Sequence, residues 1–174
     1  MMETTSYARI KVTDLVQSMN ISRSTFYFYF DSVSAVLDEI ERDFLEQISA
    51  ESSSYRLIVR KYHDDSYAAV LVPYLDTIKK NLRIFRIISG PNGRPDFQEK
   101  LRQRIVSVYR EVYRNVPISP MDQKLLCELL AGGQWYVFRY WANHENELTE
   151  EALCDFLEKF MKSLDTLFVS LSRQ

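Results

Sequence analysis

Nine consecutive residues, SRSTFYFYF from Ser22 to Phe30, concentrate groups suited to directional polar contacts. Ser22, Ser24 and Thr25 carry hydroxyls, Tyr27 and Tyr29 carry phenols, and Arg23 carries a permanent positive charge. Hydroxyls, amides at a helix start and an arginine are what phosphate oxygens and base edges accept from. Groups for covalent or acid–base chemistry are sparse. The chain has 2 histidines, His63 and His144, and neither stands at a metal-ligand spacing to a Cys, Asp or Glu. Its 2 cysteines, Cys127 and Cys154, lack CxxC spacing; they read as buried reduced thiols, with a disulfide between their two helices left open. No GxSxG, Walker or GxGxxG pattern occurs, and Gly90 and Gly93 fall in a GPNG turn without the strand–loop–helix setting of a phosphate loop. An enzyme is excluded on these grounds, and no cofactor or metal is called for.

The elements that position the hydroxyl-rich run can be read from spacing. Val12 to Met19 forms a short helix with Val12, Leu15, Val16 and Met19 on one face. Asn20 ends it, since Asn tolerates the left-handed conformation nearly as well as Gly. Ser22 caps a second short helix, Arg23 to Phe30, anchored by Phe26 and Phe30. Two short helices joined by such a turn match helix-turn-helix geometry. Asp31 or Ser32 caps a longer helix whose apolar face is Val33, Val36, Leu37, Ile40, Phe44 and Ile48. The pattern loosens at the serines 52–54, then resumes, and a helix from Ser66 or Pro73 runs to Ser89. GPNGRP at 90–95 is a loop, Asp96 to Asn115 a helix, and PISP at 117–120 a break. Met121 to Asn143 is a helix apolar nearly all round, and Thr149 to Ser172 carries an i, i+3, i+4 stripe. The expectation is an all-α chain, a helix-turn-helix module at 1–50 followed by further helices at 51–174.

The chain has 174 residues, 46% hydrophobic and 26% charged, enough for a core without disulfides or metal and too apolar for disorder. Its longest uncharged apolar run, Tyr67 to Leu75, includes Pro73 and is far short of a membrane span. The N-terminus has no apolar signal segment. These point to a cytoplasmic protein with no membrane partner. The net charge of −2 by itself says nothing for nucleic acid. Residues 1–30 are nearly neutral, 31–51 strongly acidic, and 52–114 basic. Lys79, Arg83 and Arg86 share one helical face, which reads as a solvated face or as an anionic-ligand or partner patch. In the 121–143 helix, Gly132-Gly133 costs about 1 kcal/mol per glycine against alanine, a cost that close approach of another helix offsets. A homodimer is expected, with a four-helix interface from Leu129, Gly132, Gly133, Tyr140, Phe156, Phe160, Leu164 and Leu167.

IKVTDLVQSMNISRSTFYFYFDS, Ile10 to Ser32, closely resembles the helix-turn-helix of the TetR family of transcriptional regulators. SRSTFYFYF matches the family's Ser-Arg-x-Thr-aromatic-Tyr-x-Tyr-Phe. The resemblance continues more weakly in SGPNGRPDF (89–97) and GGQWYVFRYWANHENELTEEAL (132–153). It implies a homodimer on double-stranded operator DNA, acting as a repressor and answering to a small-molecule effector in the C-terminal domain. It implies further that Ser22 caps the recognition helix and that Arg23, Ser24 and Thr25 reach bases or nearby phosphates. Tyr27 and Tyr29 then contact phosphates, Phe28 meets a thymine methyl or covers a neighbour, and Thr13 and Lys11 lie near the backbone. The effector pocket is expected among Tyr74, Phe85, Tyr109, Tyr113, Trp135 and Phe138. Three departures bear on affinity. Only MMETTS precedes Tyr7 where the family has a full helix, Val33 stands where a phosphate-gripping lysine is usual, and Lys11 and Asn20 replace a threonine and a turn glycine. The competing expectation is a dimeric sensor or adaptor that has lost operator binding.

Overall fold

The computed structural model describes residues 1–61 and 75–171, and every described regular element is helical. A 3-10 turn at Tyr7–Arg9 leads to α1 (Val12–Met19) and α2 (Arg23–Tyr29). α3 (Val33–Lys61) follows, capped by Ser32, whose Oγ accepts from the Ala35 amide at 3.1 Å. Its helix passes through the serines at 52–54 without a break, because serine weakens a helix far less than the glycine or proline absent there. Residues 75–80 are helical and lead, through Asn81, into α4 (Leu82–Ile88). α5 (Phe97–Val112), α6 (Pro120–Asn143) and α7 (Glu150–Leu171) complete the chain. Their starts are dictated locally. Ser119 Oγ accepts from the Asp122 amide at 3.1 Å with Pro120 in the first turn, and Thr149 Oγ1 accepts from the Ala152 amide at 3.2 Å.

An aromatic cluster joins four of these helices. Phe44 of α3 stacks on Phe85 of α4 with ring centroids 5.6 Å apart, and Phe85 meets Trp135 of α6 edge-on at 5.9 Å. Phe97 of α5 closes the group, 6.1 Å from Phe44 and 6.4 Å from Trp135. Burying each such ring contributes about 1.5–3 kcal/mol, and the edge-to-face pairs add to that. α6 covers the core with Leu126, Leu130, Ala131, Phe138 and Trp141, and α7 with Leu153, Leu157, Met161 and Leu164. Cys127 and Cys154 are both buried free thiols, and burial pushes each of them up.

One expectation needs correction. Ile40, placed on the buried stripe of α3 by its apolarity, is 38% exposed, and Glu41 occupies that stripe instead at 2%. The row Leu37, Glu41, Phe44, Ile48 keeps helical spacing as well as the expected row did, so periodicity alone could not separate them. The basic face at 79–86 is solvated at Lys79 and Arg83, as the first of its two readings expects, and its cations are ion-paired. Lys79 pairs with Glu150 at 2.6 Å, Arg83 with Glu3 at 2.8 Å, and Arg86 with Glu145 at 2.8 Å while its Nε donates to the Ala142 carbonyl. These three cations tie helix 75–80 and α4 to the N-terminal segment and to both ends of the α6–α7 loop. His63 lies outside the described residues.

Candidate nucleic-acid interface

α1 and α2 are set against one another by a turn whose conformation local chemistry dictates. Asn20 sits at φ 52°, ψ 45°, in the left-handed region, and its amide closes on the Gln17 carbonyl at 3.3 Å. Among the described residues it is the sole non-glycine residue with positive φ. An asparagine bears that conformation at little cost, so the glycine is dispensable here. α1 opens with the Lys11 amide donating to Asp14 Oδ2 at 2.9 Å. α2 opens on Ser22, whose Oγ accepts from the Thr25 amide at 3.0 Å.

α2 turns a single side chain inward. Phe26 is 3% exposed and packs against Tyr27 and Phe30, with centroids 5.5 and 6.1 Å away. The remaining face is presented outward: Arg23, Ser24, Thr25, Tyr27, Phe28 and Tyr29 are all exposed, Phe28 at 80%. Phe28 and Tyr29 meet edge-on at 4.9 Å. The hydroxyls of Ser24 and Thr25 lie 2.7 and 2.8 Å from Ser22 Oγ. Ser22 is therefore occupied as a cap, and the hydroxyls beside it are held together at the exposed start of the helix. Lys11 and Thr13 are exposed at the start of α1, with Thr13 Oγ1 3.5 Å from Asp14 Oδ1. The nine residues expected to meet DNA thus lie on the two short helices, eight of them free to face outward and Ser22 fixed in a positioning role.

The expected pocket residues are placed otherwise. Phe85, Trp135 and Phe138 are core side chains, and Tyr109 and Tyr113 stack on each other at 5.9 Å, with the Tyr109 hydroxyl donating to Gln134 at 3.1 Å. None of the five lines either of two surface grooves, one at the α6–α7 end beside Tyr136, Tyr140, His144 and Phe156, the other between α3 and α5. Tyr74 lies outside the described residues. Among the described residues the buried Trp135 indole N–H meets no acceptor.

The expected dimer residues separate into two sets. Leu129 (69% exposed), Tyr140, Phe156, Phe160 and Leu167 are exposed, and nothing lies within 4 Å of a Cβ built on Gly132 or Gly133. Leu164, in contrast, is buried in the core. Met121, Leu125 and Tyr136 were missed: they continue the same exposed row along α6, as their spacing of three or four residues from Leu129, Gly132, Gly133 and Tyr140 would have shown. Among the described residues no cluster of metal-ligating side chains occurs, and no helix is long and apolar enough to cross a membrane.

Two short capped helices displaying an arginine, hydroxyls and phenols, followed by a helical core, define a helix-turn-helix regulator. The family model for the TetR transcriptional regulator C-terminal region matches residues 65–163, more than half of the chain. The chain belongs to the TetR family of transcriptional regulators, which are DNA-binding regulatory proteins and not enzymes. It is 32% identical over 98 residues to the HTH-type dhaKLM operon transcriptional activator DhaS of Lactococcus lactis subsp. lactis, a match taking in 53% of this chain and about half, 51%, of that one. A solved TetR-family transcriptional regulator from Pectobacterium atrosepticum aligns with 95% of this chain and 84% of its own length, at 20% identity and a TM-score of 0.43.

Proposed function

We propose that this chain is a ligand-responsive repressor, a homodimer that binds a two-fold operator through α2 of each subunit. Residues 1–50 serve as the DNA-binding domain and 51–174 as the ligand-binding and dimerisation domain, in a cytoplasmic protein. The observation that carries the reading is the outward face of α2, where Arg23, Ser24, Thr25, Tyr27, Phe28 and Tyr29 are all exposed on a helix anchored by one buried ring. An exposed row of that composition suits a major groove and its flanking phosphates. Lys11 and Thr13 stand where the first helix would cross the backbone.

Self-association is supported by the exposed apolar row on α6 and α7 and by the open space over Gly132 and Gly133. A second copy would bring the close helix approach that no neighbour among the described residues supplies. Effector responsiveness is supported by Trp135 Nε1, a buried donor beside Phe85 and Phe97 that meets no acceptor among the described residues. An effector acts only through different affinity for two states, which would differ in how the two reading heads are held. A second reading, activation, has one observation in its favour: the similar DhaS is described as an activator.

The decisive measurement is fluorescence anisotropy with duplexes from the DNA flanking the gene, against random duplexes, at low salt. Specific binding is expected, and Arg23→Ala should weaken it while lowering the slope of log K against log salt by about one unit if Arg23 grips a phosphate. A chain that binds no flanking duplex better than random DNA would leave the dimeric sensor or adaptor. A reporter fused to the bound site separates repression from activation by the sign of its response.

A further inference from the structure

Among the described residues Glu41 is the one fully buried charged side chain, and it interrupts an otherwise apolar row, Leu37, Phe44 and Ile48, by which α3 lies on the core. Its two carboxylate oxygens are bound by different partners. Oε1 accepts from Arg94 Nε at 3.1 Å, and Oε2 accepts from Lys100 Nζ at 2.9 Å. Both cations come from the opposite side of the α3–core boundary: Arg94 from the α4–α5 loop, Lys100 from the second turn of α5. Arg94 also binds Asp38 of α3, a second contact across the same boundary, and Lys100 is held on its own side by Asp96 at 3.1 Å. The loop holding Arg94 has little freedom. A Cβ at Gly93 would stand 2.1 Å from the Ile88 carbonyl oxygen, and one at Gly90 2.6 Å from that of Arg86. Beyond α3, the Tyr7 amide donates to the Asn92 carbonyl in the same loop at 2.9 Å.

We propose that Glu41 is the positioning residue of the DNA-binding module: bridged by Arg94 and Lys100, it sets the register and rotation of α3 on the core and thereby selects the operator half-site spacing the dimer accepts. The inference rests on the operator-binding reading above. Apolar contacts are non-directional, so Leu37, Phe44 and Ile48 would tolerate small slides and rotations of α3. A carboxylate whose two oxygens answer to two fixed cations would not, because displacement leaves a buried charge unpaired. α3 is continuous from Val33 past Glu41, a rise of about 12 Å at 1.5 Å per residue, and the three residues Phe30, Asp31 and Ser32 join it to α2. A rotation of about 15° about Glu41 would carry the start of α3 through about 3 Å, close to the rise of one base pair.

Two measurements test this on the full-length chain, for Glu41→Gln and for Lys100→Met, which removes one partner at the rim and leaves the Glu41 carboxylate bound by Arg94 alone. In the first, duplexes selected by the unaltered protein from a random pool are rebuilt with half-sites moved apart or together in single base-pair steps. The unaltered protein should prefer one spacing by about tenfold, and both variants should compress that preference to about twofold while their thermal melts remain cooperative. In the second, spin labels at Ser18→Cys and Lys124→Cys, in a Cys127→Ser/Cys154→Ser background diluted with unlabelled subunits, report the distance from α1 to α6. One narrow distribution should broaden in both variants. Folded variants with unchanged spacing preference and an unchanged distribution would overturn the proposal. If no duplex is selected by the unaltered protein, operator binding fails as a reading, and the distance measurement still decides whether Glu41 positions the module.

Discussion

At residue scale the interface depends on a few local hydrogen bonds. Ser22 satisfies an amide of α2 that has no partner within the helix, and its Oγ also gathers the hydroxyls of Ser24 and Thr25. Ser22→Ala should cost about 1 kcal/mol, read from the urea midpoint. It should also weaken operator binding by more than its stability loss explains, because two neighbouring hydroxyls lose their shared anchor. Gly93 answers to a different requirement. It has no positive φ; what demands glycine is the Ile88 carbonyl, 2.1 Å from any Cβ there. Gly93→Ala should cost about 1–3 kcal/mol through displacement of the α4–α5 loop, measured by the same denaturation.

At the scale of elements, α6 and α7 each carry two apolar faces with separate tasks. The inward face of α7, with Leu153, Leu157, Met161 and Leu164, completes the core, while Phe156, Phe160 and Leu167 are exposed, as are Leu125, Leu129, Tyr136 and Tyr140 of α6. Substitutions on the two faces should therefore separate stability from association. Leu129→Glu or Phe160→Glu should leave a folded monomer in sedimentation at concentrations where the unaltered chain is a dimer. Leu164→Ala should cost about 2–5 kcal/mol of stability and leave the mode of association unchanged. Equal loss of stability from both kinds of substitution would count against the dimer face.

At the scale of the whole molecule, exposed ion pairs link neighbouring turns of α5 and, between Arg83 and Glu3, distant segments. Hydrogen bonds from Arg102, then from Gln103, hold the Glu99 carboxyl down to about 2, and Arg83 holds Glu3 below the usual glutamate range. Hydrogen bonding to Lys100 does the same for Asp96 against a smaller opposing effect of burial. A carboxylate depressed in the folded state contributes stability that is complete above its ordinary value, and this is lost as pH falls through the folded value. For Glu99 that window runs from 4.5 down to about 2. The Glu99→Gln variant should be less stable than the unaltered chain at neutral pH, and the difference should vanish by the acid end of that window, followed by urea midpoints at several pH values. The difference will be small, since these groups are exposed to solvent.

Much of this was legible before any tertiary contact was considered. Sequence by itself determined the ends of α1, the Ser22 cap, the left-handed Asn20 and the outward face of α2, because each depends on hydrogen bonds and sterics within three or four residues. The i, i+3, i+4 repeat that makes α7 a helix was legible for the same reason, but which of its residues are buried was not: Leu153, Leu157, Met161 and Leu164 are, and Phe156, Phe160 and Leu167 are exposed. Tertiary structure decided what spacing leaves degenerate. It chose Glu41 over Ile40 for the buried face of α3, since only the nearness of Arg94 and Lys100, more than fifty residues away, makes a carboxylate the better occupant. It set the cations at 79, 83 and 86 against acids at 150, 3 and 145, where sequence showed a basic face. It also divided the apolar girth of α6 into a core row and an exposed row, and drew Trp135 and Phe85 into an aromatic core. Helical periodicity says which residues share a face; which face meets another helix is decided by the long-range packing of the whole chain.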